Sequence, residues 1–160
     1  MKIKNLLSLM VTVIAVFFMI CAHADELSKD IFVSNAWVQA MPPSQKVSVA
    51  YMVITNNSKQ DYVLVSASCD IAGSTELHQM SDMNGMMKMA QVSNIHIPAQ
   101  GKAILQSGGY HMMLINLKKP VNKGDIVPIT LHFQGGNNIV VNAQVKDDED
   151  DSTSMPGMKM

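Results

Sequence analysis

The sequence contains no arginine, and only 5% of its 160 residues are aromatic. Its twelve lysines face thirteen acidic residues, which gives a formal net charge of −1. Proteins that bind nucleic acid or anionic membranes carry clustered positive charge. The charge balance therefore argues against both kinds of partner.

Cysteine is scarce as well, with Cys21 and Cys69 as the two examples. Cys21 lies in a predicted export signal, and Ile20 stands where a lipidation signal has a small residue, so we do not expect a lipoprotein. Cys69 is then alone in the mature chain, which excludes an intrachain disulfide and a Cys-x-x-Cys redox motif. A blue-copper electron-transfer centre is also disfavoured, because Cys69 precedes the histidine and methionine cluster and has no neighbouring ligands. We interpret Cys69 as a small buried hydrophobic residue.

Residues 1–24 have the features of a secretory signal. Lys2 and Lys4 form a positively charged start, residues 6–20 form an apolar run, and a small-x-small cleavage site precedes Asp25. The run is shorter than a membrane-spanning helix needs. We therefore expect cleavage before Asp25 and no membrane span in the mature protein. Loss of the two lysines leaves ten against thirteen acidic residues, a formal balance of −3.

Methionine is abundant where cysteine is scarce. Twelve of the fifteen methionines lie in the mature chain. A thioether binds soft metal ions without losing a proton and cannot be locked into a disulfide. This composition suits a soft-metal protein that works in an oxidising compartment.

The mature chain has the pattern of a β-protein. Short segments rich in β-branched and aromatic residues are separated by turn residues every eight to twelve positions. The predicted strands are residues 31–41, 47–55, 62–68, 75–80, 87–97, 103–106, 111–117, 126–133 and 139–145. A sustained apolar stripe at helical period is missing, so we expect little helix. The pattern favours an all-β antiparallel sandwich or Greek-key barrel.

The chain is predicted to contain one folded domain between its two ends. Residues 1–24 are the signal, 25–146 the domain, and 147–160 a tail that begins with five consecutive acidic residues. Such a tail cannot bury a core, so we expect it to be disordered. Its three methionines leave two interpretations open, a solubilising tail and an auxiliary copper-binding arm.

Two histidines and two methionines form the most informative pattern. They occur as His78, ten residues, Met89, twenty-one residues, His111, one residue and Met113. Imidazole and thioether ligands together suit Cu(I). His111 and Met113 are two apart on a predicted strand, so both point to one face while Met112 points to the other.

A predicted hairpin brings the remaining two members of the pattern towards each other. Asn84 and Gly85 have the sequence of a tight turn between two strands. The returning strand carries Met89 back alongside the strand of His78. The sequence therefore predicts proximity of these two residues, although the turn does not fix their register.

These motifs resemble the periplasmic copper chaperone family known as PCu(A)C, whose signature is H-x10-M-x21-H-x-M. The segments around residues 76–80, 87–89, 109–114 and 124–133 are also similar to that family. The resemblance implies a cupredoxin-like β-barrel that binds Cu(I) through His78, Met89, His111 and Met113. Family members often carry a Met- and His-rich extension, whereas the tail here has methionines and no histidine.

The resemblance also implies a function. The protein is expected to be a periplasmic metallochaperone, not an enzyme, that delivers copper to respiratory oxidase assembly, especially to the dinuclear copper site of cytochrome c oxidase. Its partner would be a copper-accepting oxidase subunit. Because the chain has no redox pair, a thiol-dependent copper chaperone that supplies reduction is a second expected partner. We expect a monomer without a nucleic-acid partner.

Two other functions are compatible with the same sequence. A periplasmic copper buffer for metal tolerance would use the same ligands without a dedicated acceptor, and a structural sandwich would bind no stoichiometric copper. His96 and His132 are interpreted as structural histidines. The roles of four further methionines near the motif stay open: Met80, Met83, Met86 and Met87.

Overall fold

A computed structural model describes residues 27–83 and 85–147 of the chain. The predicted signal, residues 1–24, and the predicted tail beyond Asp147 lie outside the described residues. One short helix, α1 (Leu27–Asp30), precedes ten strands. The strands are β1 (Ile31–Gln39), β2 (Val47–Asn56), β3 (Tyr62–Ser68), β4 (Ser74–Met83), β5 (Met86–Gln91), β6 (Ile95–Ile97), β7 (Lys102–Leu105), β8 (Tyr110–Ile115), β9 (Ile126–Phe133) and β10 (Asn138–Lys146).

The strands are hydrogen-bonded in the order β5-β4-β8-β7-β2-β1-β10-β9-β3-β6. Most neighbours are antiparallel, whereas β1 runs parallel to β10 and β7 touches β8 through one parallel pair. Strand β2 is central, because β7 pairs with its second half and β8 with its first half. The all-β prediction is confirmed.

The core is a single cluster of buried side chains contributed by the strands of this sheet. Alternate residues of β2 and β9 are buried, which is the period that places every second side chain on one face. Met52, Leu114, Ile129 and Phe133 are among the largest fully buried side chains. Burial of an apolar side chain of this size stabilises the fold by roughly 1.5–3 kcal/mol.

One predicted strand is wrong in its extent. Residues 87–97 were expected to form a single strand, but the structure divides them into β5 and β6. The physical reason is that the two pieces have different partners, since β5 pairs with β4 and β6 pairs with β3. A chain that changes neighbours must leave the first ladder, and it does so at residues 92–94.

The side chain of Asn56 ties the end of β2 to the β6 region. Its Nδ2 donates to the carbonyl oxygens of Gln60 at 2.8 Å and Pro98 at 3.0 Å, while its Oδ1 accepts from the Ser58 backbone nitrogen at 2.9 Å. Asn56 is 1% exposed. A buried amide that satisfies several backbone groups is costly to remove, because those groups then lose their partners.

We therefore predict that Asn56→Ala lowers the free energy of unfolding by about 2–4 kcal/mol, since the backbone groups bonded to its side chain lose their partner and each buried group left unsatisfied costs about 1–3 kcal/mol. Urea denaturation of the mature protein measures the change. Asn57→Ala is the matched control, because Asn57 is exposed, and a surface change of this kind is expected to stay within roughly 0.5 kcal/mol. Equal effects of the two substitutions would contradict the role of Asn56.

Candidate metal centre

Three adjacent strands, β5, β4 and β8, build the candidate site. In their register His78 lies opposite His111, and Met80 lies opposite Met89. Side chains of paired residues point to the same face of a sheet. Leu77, which precedes His78 on β4, and its partner on β8 are buried in the core. The side chains of the His78–His111 and Met80–Met89 pairs therefore lie on the other face of the sheet. The predicted hairpin is confirmed by the antiparallel pairing of β4 with β5, and Gly85 has a φ of 81°.

Both ring nitrogens of His111 have a close neighbour. Nδ1 lies 3.1 Å from the carbonyl oxygen of Gly109, and Nε2 lies 3.1 Å from Sδ of Met89. A carbonyl can only accept, so the neutral imidazole carries its proton on Nδ1. Nε2 then presents a lone pair beside the lone pairs of the Met89 sulfur. His111 is only 5% exposed. In this enclosed position its Nε2 and the Met89 sulfur, two metal-binding donor atoms, face each other without a proton between them.

His78 completes the pair of imidazoles. Its ring centroid lies 5.8 Å from that of His111, with 37° between the ring planes. Nε2 of His78 lies 2.9 Å from Oε2 of Glu76. Because a carboxylate accepts, the neutral ring has its proton on Nε2 and a lone pair on Nδ1. Within the described residues, this Nδ1 is the one buried side-chain nitrogen or oxygen that has no hydrogen-bond partner.

An orphaned buried acceptor of this kind requires an explanation. Metal binding by this nitrogen would explain it. Histidines that bind a metal through one ring nitrogen use the other to donate a hydrogen bond to a carboxylate or a backbone carbonyl. Both histidines show that arrangement, with Glu76 behind His78 and the Gly109 carbonyl behind His111. The residues present therefore fit a soft cation bound between them.

Met113 lies two residues beyond His111 on β8 and opposite Glu76 on β4. It is half-buried and shares the face of the two histidines. The structure thus brings His78, Met89 and His111 together through direct neighbours, and it places Met113 at the next position of the same face. Met112 points to the core and is fully buried, as its alternation predicted.

Two residues of this face had no assigned role in the sequence interpretation. Glu76 and Met80 lie two positions before and after His78 on β4. Spacing by two on a strand is the signal that could have found them, because i−2, i and i+2 share a face. Met80 stands opposite Met89, so it adds a thioether next to the predicted ligands.

Oxygen- or thiolate-based metal sites are not found in the described ranges, since no group of three or more His, Cys, Asp or Glu side chains there could hold an ion. The Cys69 thiol is buried in the core cluster, and burial raises its pKa, despite backbone hydrogen bonds that act in the opposite direction. A protonated thiol is a poor metal ligand. The soft donors available on this face are therefore thioethers and imidazoles.

The two remaining described histidines have partners of their own. His96 Nε2 lies 3.0 Å from Oδ2 of Asp61. The hydrogen bonds from the Ala99 backbone and from His96 hold the pKa of that carboxyl below its ordinary value. His132 contacts the side chains of Ser68 and Asn138. Both histidines lie outside the β5-β4-β8 face.

Among residues 27–83 and 85–147 no helix is long and apolar enough to cross a membrane. The family model described as "Putative lipoprotein LpqE-like" matches residues 31–145. A relative from Leifsonia xyli subsp. xyli (strain CTCB07), "Putative lipoprotein Lxx21020", is 34% identical over 116 residues, which are 72% of this chain and 69% of the relative.

Solved structures share the fold. The Cu(I) form of DR1885 from Deinococcus radiodurans, a solution structure, is 38% identical with a TM-score of 0.62, and the match covers 79% of this chain and 83% of that one. The copper-bound PCuAC domain from PmoF2 has a TM-score of 0.62 at 19% identity, and the match covers 74% and 93%. The second likeness concerns the fold alone. The chain therefore belongs to the LpqE-like family and has the cupredoxin-like fold of the PCuAC domains that its sequence resembles.

Proposed function

We propose that this protein is an exported Cu(I) carrier that binds one ion through His78, Met89, His111 and Met113. The observation that carries the proposal is the buried Nδ1 of His78, which has no hydrogen-bond partner. The ring of His78 lies 5.8 Å, centroid to centroid, from that of His111, and His111 in turn contacts the Met89 sulfur. A lone pair enclosed in this way costs stability unless it binds something. A soft monovalent ion would bind this lone pair together with the lone pairs of the neighbouring imidazole and thioether side chains.

The donor set decides which ion is bound. Thioether sulfur and neutral imidazole favour Cu(I) over the hard cations, which prefer oxygen ligands. Zinc sites in proteins are built from thiolates, imidazoles and carboxylates, and methionine is not in that set. The 38%-identical Cu(I) form of DR1885 supports the same oxidation state here.

The site is built for release as well as for binding. Met89 is 49% exposed although its sulfur reaches His111, and it belongs to β5, which lies at one end of the strand order. A partner can therefore approach this thioether from solvent and replace it before the less exposed histidines are disturbed. Stepwise exchange of this kind suits a carrier, which must hold its ion and also surrender it.

Delivery to respiratory oxidase assembly, in particular to the dinuclear copper site of cytochrome c oxidase, is the proposed destination. The signal features of residues 1–24 and the lipoprotein name of the matching family support export, and the proposed compartment is the periplasm. The described domain holds one cysteine, Cys69, and it is buried. Reduction of an oxidised acceptor is accordingly assigned to a separate thiol-dependent chaperone.

Removal of a ligand tests the site. His111→Ala and Met113→Ala are expected to weaken Cu(I) binding by more than the roughly 10- to 100-fold that loss of an outer hydrogen-bond partner costs a metal site. Competition with a chromophoric Cu(I) chelator measures the affinity of the mature protein. His132→Ala is the matched control, because its partners are Ser68 and Asn138 on the β3-β9-β10 surface. Unchanged affinity in the first two variants would refute the assignment.

Glu76 is expected to position His78 by accepting its Nε2 proton. Glu76→Leu should therefore weaken Cu(I) binding by about 10- to 100-fold, and Glu76→Gln, which keeps an acceptor oxygen, should weaken it less. Nitrogen NMR of the His78 ring provides an independent readout, with the proton on Nε2 in the metal-free wild type and a mixture of tautomers in Glu76→Leu. An unaltered tautomer and affinity in Glu76→Leu would show that the carboxylate is not needed.

Transfer of the ion separates a chaperone from a buffer. The Cu(I)-loaded mature protein is mixed with the soluble copper domain of an oxidase subunit under reducing conditions, and copper in each protein is measured after separation. A chaperone is expected to pass its ion to the acceptor. Retention of the ion, combined with loss of copper tolerance in a deletion strain, would favour the buffer instead.

A further inference from the structure

Two methionines outside the proposed ligand set share its face of the sheet. Met80 lies opposite Met89, and Met87 lies opposite Asp82 near the tip of the β4-β5 hairpin. Met87 and Met89 are two apart on β5, so their side chains leave the strand on the same side, roughly 7 Å apart along it. Met80 and Met87, together called the outer methionine pair, therefore extend the thioether surface from the site towards the hairpin tip.

Exposure increases along this surface. His111 is 5% exposed, Met89 is 49% exposed and Met87 is 56% exposed, while Met80 is half-buried. The soft donor atoms thus form a path from the solvent-exposed tip of the hairpin to the enclosed imidazoles. An ion that first meets Met87 has another thioether within a side chain's reach at each step towards His111.

The charges on this face suit a cation. Asp82 and Glu76 lie on the same side of β4 as His78, because they are separated from it by even numbers of residues. Lys88 lies opposite Ser81 and therefore points to the other side of the hairpin. Asp82 also accepts a hydrogen bond from the Gly85 backbone nitrogen at 2.7 Å, which fixes its carboxylate at the turn.

We propose that the outer methionine pair is a second, weaker binding site for soft monovalent ions, Cu(I) and Ag(I), which captures the ion and passes it to the inner ligands. This inference rests on the proposed function, since the inner ligands are those assigned above. Two thioethers without an imidazole bind weakly, so the site accelerates loading and leaves the equilibrium affinity of the inner site unchanged. The transfer is a ligand exchange in which one thioether–metal bond forms as another breaks, without a change of oxidation state.

Met86 provides an internal comparison. It is the most exposed of these methionines, at 72%, and it is the neighbour of Met87 on β5. Alternation turns it to the opposite side of the strand. A hydrophobic docking role for the hairpin depends on apolar surface, which leucine also provides, whereas ion capture depends on sulfur and on the face. Substitution by leucine at these positions separates the two roles.

The experiment uses the mature protein and the variants Met87→Leu, Met80→Leu and the double variant, with Met86→Leu as the matched control. Stopped-flow spectroscopy follows Cu(I) transfer from a chromophoric chelator, and chelator competition measures equilibrium affinity. The expected result is slower loading in Met80→Leu and Met87→Leu, the largest decrease in the double variant, wild-type loading in Met86→Leu, and equal affinity in all. Methyl NMR of 13C-methionine protein titrated with Ag(I) should shift Met80 and Met87 beyond one equivalent and leave Met86 in place.

Several results would overturn the inference. Wild-type loading by the double variant would do so, as would an equal decrease in Met86→Leu. A loss of equilibrium affinity in Met80→Leu or Met87→Leu would also contradict it, because that methionine would then be a ligand of the inner site. Failure of the wild type to bind Cu(I) or Ag(I) at all would instead refute the proposed function, and this outcome is distinct because it is visible before any variant is compared.

Discussion

The register between β4 and β8 determines both the core and the candidate site. On one face Leu77 and Met112 are paired and buried, and on the other His78 and His111 are paired and turned away from the core. A slip of β4 by one residue against β8 would exchange the two faces of β4, placing the His78 imidazole in the apolar interior and Leu77 outside. Burial of the apolar pair therefore fixes the imidazoles in position, and it does so whether or not an ion is bound.

This coupling explains how a site can exist before its ion arrives. The lone pairs of His78 Nδ1 and His111 Nε2 are directed by hydrogen bonds on the far side of each ring. An unsatisfied buried nitrogen costs stability, so the sheet must supply the free energy that keeps it in place. A rigid β-sheet suits this purpose better than a loop, because its ladder hydrogen bonds hold neighbouring strands in a single register.

Local patterns predicted what lies within one strand or one hairpin. The shared face of His111 and Met113 follows from a spacing of two, and the approach of Met89 to the strand of His78 follows from the tight turn after Met83. The pairing of β4 with β8 could not be derived in this way, because the two strands are distant in sequence and no turn joins them. For the same reason the single strand predicted for residues 87–97 was wrong, since the exchange of partners between β5 and β6 is a property of the whole sheet.

The position of β5 links this architecture to the behaviour of a carrier. An edge strand presents unpaired backbone groups and is a liability for aggregation, which proteins limit with short edges and charged side chains. Strand β5 is six residues long, each of its residues is exposed, and it carries Lys88 on the side away from the site. The same exposure makes Met89 replaceable, whereas a ligand on a central strand would be enclosed by neighbours. A thioether on an edge strand can therefore coordinate an ion together with two imidazoles of neighbouring strands and can still be exchanged from solvent.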